Sequence, residues 1–316
     1  MTLRRARAMA GSALPRPDGR PPWPCADLED WSGRAFLLPM GDPRLQSLFA
    51  GESPTSRPLH NLVGAADLWE HDPEWMDWLH PESPAHDQKM LERDLYLHHW
   101  GEHIDNAQRF LDLGAGAGRF THWLLAHDRE VEAVDPDLRS LWRILAHVAG
   151  GPGRLDLHWS TGERLPTIEP VDLALAVEVL NYVEDPAQVL ERIGSVLRPG
   201  GMLLLSVEAK NGWAASLDAG PGSLAAFFDD SPVFLERDRF VRTYSEQDLR
   251  SLLADWEILE ILPTHYATSG PFETAAGAHT LEDLLPWERK CREHPLTAPW
   301  NRAWTLAVRK PLGVKP

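Results

Sequence analysis

The stretch Arg109-Phe110-Leu111-Asp112-Leu113-Gly114-Ala115-Gly116-Ala117-Gly118-Arg119-Phe120 constrains the fold of this chain more than any other. A short apolar run enters three glycines at every second position, and a helical pattern follows at once. Glycine carries no Cβ, so such a turn folds sharply into a helix and its backbone can press against a ligand. About twenty residues further on, Val131-Glu132-Ala133-Val134-Asp135 is a second apolar run ending in an acid. In a βαβ unit that acid stands at the end of the next strand, where a carboxylate can accept from a ribose diol. The pattern points to a nucleoside-binding α/β fold.

The glycine spacing separates two kinds of nucleoside site. A dinucleotide fingerprint reads G-x-G-x-x-G, its third glycine packing helix on strand beside a pyrophosphate. Counted from Gly114 that position is Arg119, too large for the contact. The chain reads Asp-Leu-Gly-Ala-Gly-Ala-Gly instead, with Asp112 two residues before the first glycine. This resembles motif I of the class I S-adenosylmethionine (SAM)-dependent methyltransferases, and the resemblance continues in order from Arg109 to roughly Lys210. Leu155-Asp156-Leu157-His158-Trp159-Ser160-Thr161-Gly162-Glu163-Arg164-Leu165-Pro166 is similar to the family's third strand and the loop that walls the adenine. Val171-Asp172-Leu173-Ala174-Leu175-Ala176-Val177 is a near-continuous apolar run, as expected of a strand buried on both faces of a parallel sheet. Its continuation, Glu178-Val179-Leu180-Asn181-Tyr182, falls at the carboxyl edge where open α/β sheets bind ligands. Relatives often carry an acid at Thr161 and a histidine at Tyr182, so both positions depart from the family pattern.

After Tyr182, Asp185-Pro186-Ala187-Gln188 combines an N-cap acid, proline at the first helical position and glutamine at N3. Leu190, Ile193 and Leu197 recur at helical spacing until Arg198-Pro199-Gly200-Gly201, and Met202–Val207 supplies a fifth strand. The expected fold is α/β, a Rossmann-like, seven-stranded, mostly parallel sheet with helices on both faces, plus an N-terminal extension and insertion or cap segments. Trp256–Leu262 and Trp304–Arg309 read as the two late strands which, in the family, close the sheet as an antiparallel hairpin.

Residues 1–24, rich in Pro, Arg and Gly, read as a flexible tail, and residues 25–84 as a Trp/Pro-rich cap with Trp31, Trp69, Trp75 and Trp78. Residues 85–316 then form the SAM-binding catalytic domain, with variable insertions at about 208–244 and 263–302 and a helix over about 85–103 ahead of the glycine turn. The net charge of −16 argues against a nucleic-acid substrate held electrostatically, because phosphate binding wants a basic surface. Cys25 and Cys291 belong to no Cys/His cluster, so neither a disulfide framework nor a metal site is expected. No apolar run approaches a membrane span, and the basic start lacks the apolar core of a secretory signal. A cytoplasmic protein is expected; the sequence leaves its oligomeric state open.

The resemblance implies SAM as cofactor and assigns roles to individual positions. Gly114 and Gly116 let the backbone approach the methionine part, and Asp112 orients the turn. Asp135, followed by Pro136, accepts from the ribose hydroxyls; Thr161, Gly162 and Glu163 flank the adenine. Glu178 faces the cofactor from the strand end, and Arg93, on the preceding helix, is a partner for the methionine carboxylate. Asn181 and Tyr182 are the catalytic candidates, with Asn211 and Trp213 placed at strand ends beside them. His98, His99, His103, His265 and His279 are general-base candidates by residue type alone. The reading is a methyltransferase acting on a small, apolar or cationic molecule. Three rivals stand beside it: an enzyme that transfers or cyclises the aminobutyryl chain of SAM and releases methylthioadenosine, a non-catalytic SAM-binding regulator, and a nicotinamide-dependent oxidoreductase disfavoured by Arg119.

Overall fold

The computed structural model describes residues 2–3, 78–137, 140–141, 143–144, 152–216, 233–234, 240–273 and 277–311. Except for Thr2 and Leu3, the tail at 1–24 lies outside these residues. Of the cap at 25–84 only 78–84 falls within them, so Trp31, Trp69 and Trp75 lie outside too.

The central sheet has the strand order β1-β4-β3-β2-β5-β6-β10-β9. Strands β2 (Arg109–Leu113), β3 (Glu130–Asp135), β4 (Arg154–Trp159), β5 (Val171–Val177) and β6 (Leu197–Glu208) run parallel. β10 (Ala303–Arg309) is antiparallel to both β6 and β9 (Glu257–Thr264) and lies between them. These are the seven expected strands. A two-residue β1 (Thr2–Leu3) adds to the β4 edge, and a separate hairpin pairs β7 (Val233–Phe234) with β8 (Phe240–Val241). The late strands start one residue away from the expected positions, and β9 runs on to Thr264.

Side chains alternate across the sheet, and each face has its own core. Phe110, Ala133, Leu155, Leu157, Leu173, Leu175 and Leu204 pack with Tyr96, Trp100 and Ile104 of α1 (His86–Asp105) and Phe120, Leu124 and Leu125 of α2 (Arg119–Ala126). Leu111, Leu113, Ala174, Ala176, Leu203, Leu205 and Leu306 point the other way. They meet Val189, Leu190 and Ile193 of α3 (Pro186–Val196) and Leu249 of α5 (Glu246–Leu252). Period-2 strands between two layers of period-3.6 helices bury apolar groups on both faces, about 1.5–3 kcal/mol for each large aliphatic side chain. The helix starts follow their sequence signals. Asp185 Oδ1 accepts from the Gln188 N–H at 3.0 Å, and Ser245 forms a reciprocal capping box with Asp248. The short helix α4 (Lys210–Ser216) follows β6, and α6 (Leu281–Glu293) packs Leu284 against Leu95 of α1.

Candidate active site

The glycine turn is built by conformations that other residues avoid. Gly114, Gly116 and Gly118 have φ of 69°, 53° and 96°. A Cβ on Gly114 would stand 2.5 Å from Val179 Cγ2, and one on Gly116 would stand 3.0 Å from the Trp78 ring. The turn is pinned at the neighbouring strand, where Val134 O accepts from the N–H groups of Gly114 (2.8 Å) and Ala115 (3.1 Å).

Three buried groups surround it. Asp112 accepts from the Thr121 hydroxyl at 2.5 Å, and burial pushes its carboxyl up to about 6. Asp135 accepts through Oδ2 from the Gly116 N–H and through Oδ1 from the Asp137 N–H, both at 2.8 Å. Burial and then the nearby Asp137 charge push Asp135 up to about 7, against the pull of those two N–H groups. Thr161 is buried beyond β4, and its hydroxyl has no partner among the described residues. Gly162 beside it packs on Val189 and Leu113, while Pro136 O accepts from Trp159 Nε1 at 2.8 Å. The side chain of Glu163 accepts from the Glu184 N–H at 3.3 Å and so ties this loop to the segment after β5.

The end of β5 is strained. Glu178 has φ of 58°, a left-handed conformation unusual for a residue with a Cβ, held by N–H bonds to Ser206 O (3.0 Å) and Oγ (3.1 Å). Its carboxylate accepts from Tyr96 Oη at 3.3 Å and lies 3.9 Å from Arg119 Nη2. Burial acts to raise its pKa, but the Lys89 and Arg119 cations outweigh it and hold Glu178 down at about 2. Glu92 bridges both cations, 2.8 Å from Lys89 Nζ and 3.0 Å from Arg119 Nη1. Asn181 is fully buried, with Oδ1 accepting from the Glu208 N–H at 3.1 Å. Tyr182 is half-buried, its N–H bonded to Val179 O.

Gly114, Gly116, Asp112, Asp135, Pro136, Thr161, Gly162, Glu163, Glu178, Asn181 and Tyr182 all fall at the carboxyl ends of β2, β3, β4 and β5, one continuous edge of the sheet. Arg93 is engaged elsewhere, with Nε and Nη2 donating to Asp94 Oδ1 at 2.9 and 2.7 Å. The cations beside the turn are Lys89 and Arg119. Sequence reasoning passed over this cluster, although Lys89, Glu92 and Tyr96 recur at i, i+3 and i+7 on one face of α1. Among the histidines, His98 and His279 are exposed. His99 is pushed down to about 3 by burial and then by its neighbour His98. His265 is buried at the end of β9, its ring 4.5 Å from that of Tyr96, and burial lowers it to about 4.

A doubly covered, mostly parallel sheet, a turn with three glycines at alternate positions and a buried acid at the end of the next strand are the features of a nucleoside-binding α/β fold. Cβ-free backbone, an orphaned Thr161 hydroxyl and a carboxylate at the end of β3 fit the amino-acid, adenine and ribose parts of SAM. Comparison with known proteins agrees. Residues 111–203 match the family described as "Methyltransferase domain". A ubiquinone biosynthesis O-methyltransferase of Bradyrhizobium sp. (strain ORS 278) is 32% identical over 103 residues, which are 33% of this chain and 41% of that protein. An uncharacterized methyltransferase of Mycobacterium tuberculosis (strain ATCC 25618 / H37Rv) is 35% identical over 115 residues, 35% of this chain and 45% of its own. The chain thus spans less than half the length of these curated relatives. The solved 1,6-didemethyltoxoflavin-N1-methyltransferase of Burkholderia thailandensis, with S-adenosylhomocysteine bound, shares the fold with a TM-score of 0.50 at 19% identity. That likeness covers 82% of this chain and 93% of the other. Over residues 111–203 the chain is thus similar to the methyltransferase domain, and its fold is that of SAM-dependent methyltransferases of known structure.

Proposed function

We propose that the chain transfers the methyl group of SAM to a small-molecule acceptor. One observation carries the reading: the buried Asp135 carboxylate, joined to the Gly116 N–H, links the glycine turn to the strand end where a ribose diol is read. When bound, SAM supplies a methyl group on a sulfonium whose leaving group is a neutral thioether. The protein's task is then to align donor and acceptor and exclude water, which is worth about 7–11 kcal/mol when the geometry is right. Gly114 and Gly116 give close backbone approach, Asp112 braces the turn through Thr121, and Asp135 with Pro136 receives the ribose. Thr161, Gly162 and Glu163 flank the adenine. Glu178, Asn181 and Tyr182 border the acceptor side, Glu178 also facing the cofactor, and the position of Arg93 leaves the methionine carboxylate to Lys89 and Arg119.

A small acceptor is favoured over nucleic acid by the net charge of −16, and the relatives' names support small molecules. No helix among the described residues is long and apolar enough to cross a membrane, and we place the enzyme in the cytoplasm. The test is incubation with SAM and pooled small-molecule extracts, reading adenosyl products by mass spectrometry against Asp135→Ala. Enzyme-dependent S-adenosylhomocysteine with a methylated product supports transfer. Enzyme-dependent methylthioadenosine from SAM alone would replace it with aminobutyryl-chain chemistry.

A further inference from the structure

The carboxyl edge of the sheet has a second half. Beyond the cofactor-facing ends of β2, β3 and β4, the adjacent strands β5-β6-β10-β9 present Glu178, Glu208, Arg302 and His265 in a row, one per strand. Asn181 adjoins this row. Because its Oδ1 accepts from the Glu208 N–H, its Nδ2 is turned away from Glu208, buried and without a partner among the described residues. Glu208 is ion-paired to Arg302, and the Arg302 guanidinium lies 4.8 Å from the centre of the Trp213 ring. Trp213 Nε1 is likewise buried and has no partner among the described residues. Gly212 makes this contact possible: a Cβ there would run into the Asn301 carbonyl, so α4 packs directly on the residue before Arg302. Asn181, Glu208, Arg302 and Trp213 are therefore one chain of contacts that carries two buried donors without a partner among the described residues.

A buried donor without a partner costs free energy, and a ligand that pairs with it recovers that cost. Amide and indole N–H groups only donate, so the ligand must bring lone pairs. Burial, with the Glu178 charge adding to it, pushes Glu208 up to about 8 despite Arg302. The Glu208 contact engages Arg302 through Nη1, and the guanidinium carries further donors, whereas Glu178 is already matched by Lys89 and Arg119.

We propose that Asn181, Trp213 and Arg302 form the acceptor subsite and that it takes an oxyanion-bearing small molecule, a carboxylate or a phenolate. This deepens the methyltransferase reading and rests on it. The oxyanion accepts from Asn181 Nδ2 and Trp213 Nε1, and Arg302 faces its charge.

Calorimetry on the full chain saturated with S-adenosylhomocysteine tests this, with benzoate, 4-nitrophenolate, benzamide and benzylammonium as probes. At least one oxyanion is expected to bind roughly tenfold or more tighter than benzamide, and benzylammonium not at all. Benzoate alone marks a carboxylate subsite, 4-nitrophenolate alone a phenolate one. Asn181→Asp keeps an oxygen for the Glu208 N–H and removes the orphan donor; Trp213→Phe keeps a ring beneath Arg302 and removes only the N–H. Each variant is expected to weaken the oxyanion roughly tenfold at unchanged S-adenosylhomocysteine affinity. The subsite is overturned if neither oxyanion binds, if benzylammonium binds best, or if either variant binds the oxyanion as the parent does. Failure of S-adenosylhomocysteine itself to bind removes the methyltransferase reading; its binding without any oxyanion removes only the subsite.

Discussion

Replacing Asp135 by Asn separates a structural acid from one that reads the ribose. Both oxygens of Asp135 already accept a backbone N–H, from Gly116 and Asp137. An ionised carboxylate has lone pairs left for two ribose hydroxyls, whereas the amide offers one acceptor oxygen and turns an NH2 toward a donor. Losing a charge-assisted hydrogen bond costs about 1.5–3 kcal/mol, so S-adenosylhomocysteine should bind roughly 10- to 150-fold more weakly. The pH dependence sharpens the test. With its pKa at about 7, free Asp135 must lose a proton before it can accept from a diol, and bound hydroxyls lower that pKa. Parent affinity should therefore rise roughly tenfold between pH 6 and pH 8 and then level off. Asp112, at about 6, and Glu208, at about 8, also titrate near this range, but Asp135→Asn retains both. The difference between parent and variant thus isolates Asp135. Calorimetric titration at several pH values between 6 and 8.5 measures it, and parallel pH profiles for the two proteins would refute the reasoning.

Gly114→Ala forces a Cβ against Val179 at a φ of 69° and should destabilise the fold by about 1–3 kcal/mol, read by urea denaturation; an unchanged midpoint contradicts the close approach. Arg119→Met strands the buried Glu92 beside Lys89 alone and should cost about 3–5 kcal/mol, part of it regained on adding Glu92→Gln. Strictly additive denaturation free energies would show the pair to be uncoupled. Glu288 is buried, accepts from the Ala267 N–H at 2.8 Å, and is pushed by burial from 4.5 up to about 7. The folded state then holds the extra proton between those values, so stability falls as pH rises from about 4.5 to 7. Glu288→Gln should flatten that part of the melting-temperature profile, and an identical slope in the variant would count against the shift.

The glycine turn and the strand-end acid beside it were legible because a turn of this kind is set by backbone conformation. Glycines at alternate positions and an acid at a strand end are readable in one dimension, as are the Asp185-Pro186 cap and the apolar run of β5. The two late strands were legible to within a residue or two from their apolar runs. The charged cluster was not, since Lys89, Glu92, Arg119 and Glu178 come from α1, α2 and β5 and meet only after the sheet assembles. Arg93 drew attention as a lone arginine on the right helix, yet its neighbour Asp94 captures it. Nor does anything local mark Arg302 or Glu208. Their pairing follows from a strand that arrives last in the chain and sits between two earlier ones.

The position of β10 also bears on the order in which the molecule can be finished. A ribosome delivers β6 and β9 well before Ala303–Arg309 emerges, yet until then β6 has only β5 beside it and β9 has no neighbour in the sheet. During that interval an inner edge of β6 and the whole of β9 stand open to pairing with foreign strands. Arg302, immediately ahead of β10, arrives in the same step. A nascent chain stopped just short of residue 302 would hold every residue assigned to the cofactor while lacking both its closing strand and the cation of its second half. Competence to hold the nucleoside and competence to complete the pocket are thus separated in time by the synthesis of a single strand.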